Sequence, residues 1–227
     1  MRIALIAPLV TPIGELHLGG AQAVVADLAG ALAAGGHDVV VYAARGSAIG
    51  GAALGDVDID SSRLGQDLFR AGAESAASPA MTEAYTAVYG NISDGRFDIV
   101  HNHGFDVPAV SVAAEMAIAV LHTLHLPPDR SVAGAIRAAR ARATVPVWCA
   151  GVSRSHTAAW SEVVSMDAVL CNGVPVDRIP FHARGDGSAV IAARFSAEKG
   201  IDEGIAAARG GGRPVEVYGT PYDGAYE

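Results

Sequence analysis

The stretch that decides the fold runs from Arg2 to Tyr42: Arg2-Ile-Ala-Leu-Ile-Ala7, a loop to Gly20, apolar residues at Ala21, Val24, Val25, Leu28 and Leu32, then Val39-Val-Val-Tyr42. The first and last segments are short, continuous apolar runs rich in β-formers, which read as buried strands. The spacing from Ala21 to Leu32 is helical, and Gly35-Gly36 stops the helix. These residues therefore make a parallel, right-handed β-loop-α-β unit whose first loop carries glycines.

The same alternation returns later. Strands are expected over Ile99–His101, Ala119–His122, Val147–Ala150 and Ala168–Cys171, with helices around Ala109–Met116, over Ser131–Arg142 and after Ser153. Continuous apolar strands separated by helices indicate an α/β fold, an open doubly wound parallel sheet of the Rossmann-like kind. The segment Arg45–Arg96 is less regular, with a Gly/Ala stretch over Ile49–Gly55 and a helix over Thr82–Ile92. After Asn172-Gly-Val-Pro175 the chain turns polar, with Arg184-Gly-Asp-Gly187, which suits a linker. A strand beginning at Ser188, a helix over Asp202–Ala208, the turn Arg209-Gly-Gly-Gly212 and a strand over Val215–Tyr218 form one β-α-β unit of a second domain. The expected division is a first Rossmann-like domain over residues 1–180 and a partial second domain over residues 186–227.

With 227 residues, 51% hydrophobic and 18% charged, the chain can bury the core of one large or two small domains. Its net charge of -8 argues against nucleic acid as a partner, so any bound anion must be held by local cations. Cys149 and Cys171 each sit in an apolar run that reads as a buried strand, where a thiol behaves as a small hydrophobe. They supply neither a disulfide framework nor a Cys-rich metal site, and a cytoplasmic setting fits. The apolar N-terminal run is too short for a signal peptide or a membrane span, so no integral membrane segment is expected.

Four constellations carry candidate chemistry. In Ile191-Ala-Ala-Arg-Phe-Ser-Ala-Glu-Lys-Gly200, Arg194 ends a strand and Lys199 opens a helix, so a planar fork and a point charge can both reach one anion. The first loop carries Glu15, His17, Gly19 and Gly20 just ahead of a helix N-terminus. Its glycines either admit a phosphate or sugar close to the backbone or simply make a tight turn. It lacks the G-x-G-x-x-G spacing of a nicotinamide dinucleotide site. Histidines cluster at two strand ends, His101-Asn-His103 and His122-Thr-Leu-His125. They can bind hydroxyls, or ligate a metal with Asp106 or Asp129 as further ligand, while His101 and His122 read as packed, structural residues. Gly151-Val-Ser-Arg-Ser155 places Ser153 as a helix N-cap or a ligand to the crevice. It has no G-x-S-x-G elbow of a serine hydrolase. The basic run Arg137–Arg142 reads as a solvated helix end.

In order, these elements resemble those of family 4 glycosyltransferases, the retaining nucleotide-sugar enzymes of the GT-B fold. The resemblance runs from Met1 to about Thr220 through Gly19-Gly20, Asp98-Ile-Val-His-Asn-His103, Thr123-Leu-His125, Val152-Ser-Arg-Ser155, Asn172-Gly-Val174, Arg194 to Lys199-Gly200, and Val215-Glu-Val-Tyr-Gly219. It implies a nucleotide-diphospho-sugar co-substrate in a cleft between two Rossmann-like domains, transfer to an acceptor hydroxyl with retention, and no metal or other cofactor. By resemblance, His125 lies near the transferred sugar with His103 second. Arg194 and Lys199 stabilise the departing diphosphate, Gly19, Gly20 and Ser153 face the cleft, and Asn172 and Gly173 lie near the hinge as donor- or acceptor-binding residues, unless the glycine simply allows the backbone to reverse. The family's E-x7-E element and final crossing helix have no counterpart before Glu227, so a truncated chain, weak or inactive alone, is expected. Three other readings stand beside it. One is a non-catalytic sugar-binding module completed by another chain. A GT-B epimerase is disfavoured by the scarcity of crevice carboxylates, and the last is a metal hydrolase.

Overall fold

The computed structural model describes residues 1–14, 19–64 and 78–219. The chain divides into two compact units, Met1–Pro175 and the residues from Val176 onward.

The first unit is a seven-stranded sheet built from β1 (Arg2–Ile6), β2 (Asp38–Tyr42), β3 (Ala53–Leu54), β4 (Ile99–Asn102), β5 (Val120–Leu124), β6 (Val147–Gly151) and β7 (Ala168–Val169). Its order is β3-β2-β1-β4-β5-β6-β7 and every pairing is parallel. The helices are α1 (Gly20–Ala34), α2 (Pro79–Asp94), α3 (Val107–Ser111), α4 (Arg130–Arg142) and α5 (Arg154–Ser161). Right-handed crossovers in opposite directions from β1 send α1 to one face of the sheet and the later helices to the other.

Alternation along the strands supplies the two cores. Ile3, Leu5, Val39 and Val41 pack with Val25 and Ala29 of α1. Ala4, Ile6, Val40, Tyr42, Val100 and Val120 pack with Met81, Tyr85, Val88, Tyr89 and Ile92 of α2. A third cluster joins Leu124 and Cys149 to Val132, Ile136 and Ala139 of α4 and Trp160 of α5. Strands apolar on both sides follow directly from being covered on both faces.

The doubly wound parallel sheet is as the sequence indicates, with several local differences. β3 forms within the Gly/Ala stretch, where Gly55 has no room for a Cβ against the Tyr42 ring, 2.3 Å away. The helix expected over Ala109–Met116 is the five-residue α3 continued as a 3-10 turn, Val112–Glu115. β5 extends to Leu124, so His122 lies inside it, as His101 lies inside β4. β7 ends at Val169 and leaves Cys171 exposed, correcting the buried strand read there. The basic end of α4 is not merely solvated. Arg137 donates to Val163 O, and Arg140 donates to Val147 O, Ser165 O and Asp167, whose carboxylate also accepts from Cys149 N.

The second unit contains β8 (Ala189–Ala192), α6 (Ile201–Gly210) and β9 (Val215–Tyr218), with β8 and β9 parallel. Gly187 (φ 91°), Gly200 (φ 58°) and Gly212 (φ 64°) hold left-handed backbone that a side chain would strain. No helix among the described residues is long and apolar enough to cross a membrane.

Candidate active site

In the first unit β1 is the switch point of the sheet, paired with β2 on one side and β4 on the other. Ligands of open α/β sheets bind outside the strand C-termini at such a point. The ends of β1 and β4 are tied together there, His103 N donating to Ile6 O at 2.8 Å.

α1 begins at this place. Gly19 is its N-cap, no side chain among the described residues caps it, and the first turn has no acidic residue, an arrangement that leaves the first-turn N–H groups without a charge partner there. The two glycines differ in what they permit. A Cβ on Gly19 would stand 2.3 Å from Gln22 Oε1, whereas one on Gly20 would meet nothing within 4 Å. Gln22 is buried and donates to Thr11 Oγ1 at 2.6 Å, which ties the helix start to the first loop. Glu15 and His17 lie outside the described residues.

The histidines sort by strand parity. Ile99, His101 and His103 share one side and Val100 and Asn102 the other. His101, His103 and His125 form a row, with ring centroids 4.2 Å apart for His101 and His103 and 5.2 Å for His103 and His125. His103 Nδ1 lies 2.9 Å from His125 Nε2, and His101 Nε2 lies 2.7 Å from Thr123 Oγ1. His103, ranked second to His125 by resemblance, is only 1% exposed, whereas His125 is partly exposed. Burial, reinforced by His101 and His125, holds His103 well below the usual histidine range. His101 and His125 are pulled down to about 4, in both cases chiefly by burial. The whole row is neutral at pH 7 and can exchange hydrogen bonds with hydroxyls.

On the other side of the sheet, Tyr85 donates its hydroxyl to Asp106 at 3.3 Å. Burial raises Asp106 to about 6, and the Tyr85 bond opposes that rise. Asp129 caps α4, accepting from Ser131 N and Val132 N, so the two carboxylates considered as metal ligands have other partners. Among the described residues, no group of three or more His, Cys, Asp or Glu is placed to hold a metal ion.

Ser153 caps α5, its Oγ accepting from His156 N at 3.1 Å. α5 also contributes a device the sequence reading missed. Leu126 O accepts from His156 Nε2 at 2.8 Å and from Trp160 Nε1 at 2.9 Å, which anchors the residue next to His125. The signal was a histidine and a tryptophan four residues apart on one helix face. Asn172 and Gly173 lie exposed beyond β7, and the structure shows no contact of theirs with the histidine row.

In the second unit Arg194 follows β8. Lys199 closes a 3-10 turn, Ala197–Lys199, so it precedes α6 and does not open it. Gly200 is the N-cap of α6, and Asp202 and Glu203 occupy its first turn, where they already complement the helix dipole. Lys199 is exposed and Arg194 partly so.

A doubly wound parallel sheet with a row of histidines at the C-terminal ends of its central strands defines a Rossmann-like α/β protein. The sequence profile of Glycosyltransferase Family 4 matches residues 18–178, over two thirds of the chain, and the chain belongs to that family. Among solved structures it is similar to SsfS6, a glycosyltransferase of Streptomyces sp. SF2575, at 15% identity and a TM-score of 0.48, covering 96% of this chain and 68% of that one. No curated protein matches the sequence at a significant level.

Proposed function

We propose that the chain acts in moving a sugar from a nucleotide-diphospho-sugar to an acceptor hydroxyl, with retention of configuration and without a metal ion. Family membership over residues 18–178 supports glycosyl transfer. The observation that carries the finer reading is the N-terminus of α1 at the β1 switch point, capped by no side chain among the described residues, together with the neutral His103 and His125 pair.

In this reading the first-turn N–H groups of α1, unhindered at Gly20, receive donor oxygens, and His125 hydrogen-bonds a hydroxyl of the transferred sugar. Ser153, Asn172 and Gly173 belong to the same proposal as substrate contacts. Arg194 and Lys199 stabilise negative charge on the departing diphosphate, so a metal is not needed as electrophile. The bond between the anomeric carbon and the diphosphate oxygen breaks with its electron pair on that oxygen. The acceptor oxygen bonds the anomeric carbon from the same face, and its proton passes to a phosphate oxygen. Placement in the cytoplasm is part of the proposal, supported by the exposed free thiol of Cys171, which suits a reducing compartment.

Calorimetric titration with UDP and GDP, with EDTA present, tests the reading. Binding should weaken on the order of tenfold or more in Arg194→Ala and Lys199→Ala, as expected for lost charge-assisted hydrogen bonds. Binding unaffected by both substitutions would overturn the assignment of the diphosphate. NMR of the anomeric product reads retention directly, and diphosphate binding without any transfer would favour a sugar-binding module.

A further inference from the structure

His103 is placed where a substrate does not reach it. It is 1% exposed, it lies in the middle of the row, and its Nε2 finds no hydrogen-bond partner among the described residues. Among the described residues its one side-chain hydrogen bond goes to His125, Nδ1 to Nε2 at 2.9 Å, with the ring planes 25° apart and the rings meeting edge to edge. His101, whose own Nε2 is engaged by Thr123, closes the other side of the His103 ring. Its main chain is pinned to the end of β1 by the bond to Ile6 O.

Between two neutral imidazoles one nitrogen must donate and the other accept. If His125 Nε2 accepts, the His125 proton is on Nδ1; if it donates, Nδ1 is a bare acceptor. A proton on His103 Nε2 would be a buried N–H with no acceptor among the described residues, so His103 Nδ1 donates, His125 Nε2 accepts and the His125 proton is on Nδ1. We propose that His103 is a positioning residue that locks His125 in one tautomer and one orientation, leaving Nδ1 as the nitrogen presented to a ligand hydroxyl. The hydroxyl being that of a transferred sugar rests on the transferase reading above. The lock itself does not.

Long-range 1H–15N spectra of the full chain with 15N-labelled histidine report the tautomer of His125 without any turnover. The wild type should show a single tautomer, and His103→Leu a mixture. Asn sets an amide donor near the Nδ1 position of histidine and Gln sets its own nearer Nε2, so His103→Asn should move His125 back toward the wild-type tautomer and His103→Gln should not. A His125 signal unchanged in folded His103→Leu, or a mixture already present in the wild type, overturns the proposal. Should His103→Leu fail to fold, identical His125 signals in the Asn and Gln variants overturn it instead. In transfer assays, kcat should fall on the order of 10-fold or more in His103→Leu, with partial recovery in His103→Asn and a smaller change in KM for the donor. Full transfer by His103→Leu would sink the lock and leave the transferase reading intact. A His103-dependent tautomer in a chain that transfers no sugar would do the reverse.

Discussion

Asn102 Nδ2 and His122 Nδ1, on the paired strands β4 and β5, stand 2.9 Å apart with both side chains fully buried. The orientation of the amide is fixed from its other side, since Nδ2 also donates to Gly104 O and Oδ1 accepts from Gly104 N, each at 3.1 Å. Nδ2 can only donate, so His122 Nδ1 accepts and the proton of the neutral ring is on Nε2. A second proton, on Nδ1, would face an N–H inside the core. Burial, followed by the charges of His101 and Arg140, accordingly pulls His122 down to about 3.

Acid should therefore unfold the chain earlier than its carboxylates alone would. His101, His103, His122 and His125 all have folded pKa values below the ordinary 6.5, so the unfolded chain binds more protons as pH falls. Their contribution is complete above pH 6.5 and is lost as pH drops through about 4 and then about 3. Each group steepens the loss by up to about 1.4 kcal/mol per pH unit. Asp106 has the opposite sign. Raised to about 6 from 3.8, it favours the fold below 3.8 and loses that contribution as pH rises through 6. One carboxyl against four imidazoles leaves the histidines in control. Urea midpoints measured at intervals from pH 7 to pH 4 should fall throughout; a flat profile would contradict this assignment of charge states.

Gly20→Ala separates a glycine kept for the fold from one kept for a ligand. A Cβ there meets nothing within 4 Å, and Gly20 is the first residue of α1, so stability should hold or rise by up to about 1 kcal/mol. Binding of UDP or GDP should weaken if the donor approaches this backbone. Gly151→Ala is the contrast: its Cβ would lie 2.3 Å from Thr157 Oγ1 and 3.0 Å from Thr157 Cα, where β6 meets α5. A loss of about 1–3 kcal/mol is expected there. Thermal unfolding beside calorimetry reads both, and unchanged nucleotide binding in Gly20→Ala would remove the α1 backbone from the donor site.

Much of the sheet was legible because burial on both faces leaves a plain mark. Arg2–Ile6, Asp38–Tyr42 and Val147–Gly151 are continuous apolar runs, and each became a strand within a residue of its expected bounds. The two-residue strand Ala53–Leu54 is too short for periodicity to show and depends on Tyr42 packing over Gly55, whereas the strand expected from Ala168 forms but ends two residues early, at Val169. The histidines were legible as a cluster because strand ends converge at a switch point. Their sorting was not, because it rests on β5 running to Leu124 and on contacts between rings of neighbouring strands, both of which are tertiary. Arg140 was misread for a related reason: its partners Ser165 and Asp167 are distant in sequence and meet it only once α4 docks.

Ser153→Asp tests whether the α5 cap also faces a substrate. Aspartate caps as well as serine does, so the bond to His156 N should survive, whereas Ser153→Ala should cost about 1 kcal/mol. The added negative charge should nonetheless lower sugar transfer if an anionic donor lies against this helix end. Wild-type stability with unaltered transfer in Ser153→Asp would leave Ser153 a cap and nothing more.

Trp160→Phe probes the anchor beside His125. The ring is 2% exposed and belongs to the core formed with α4, so Trp160→Ala should cost about 3–5 kcal/mol. Phenylalanine keeps most of that packing and removes only the Nε1–H bond to Leu126 O, which retains His156 as a donor. The stability loss should then be about 1 kcal/mol. Leu126 adjoins His125, so a looser anchor should lower kcat more than such a small loss implies, and His156→Phe should act in the same direction. Equal transfer by wild type and a folded Trp160→Phe, His156→Phe double variant would show that His125 is held by His103 alone.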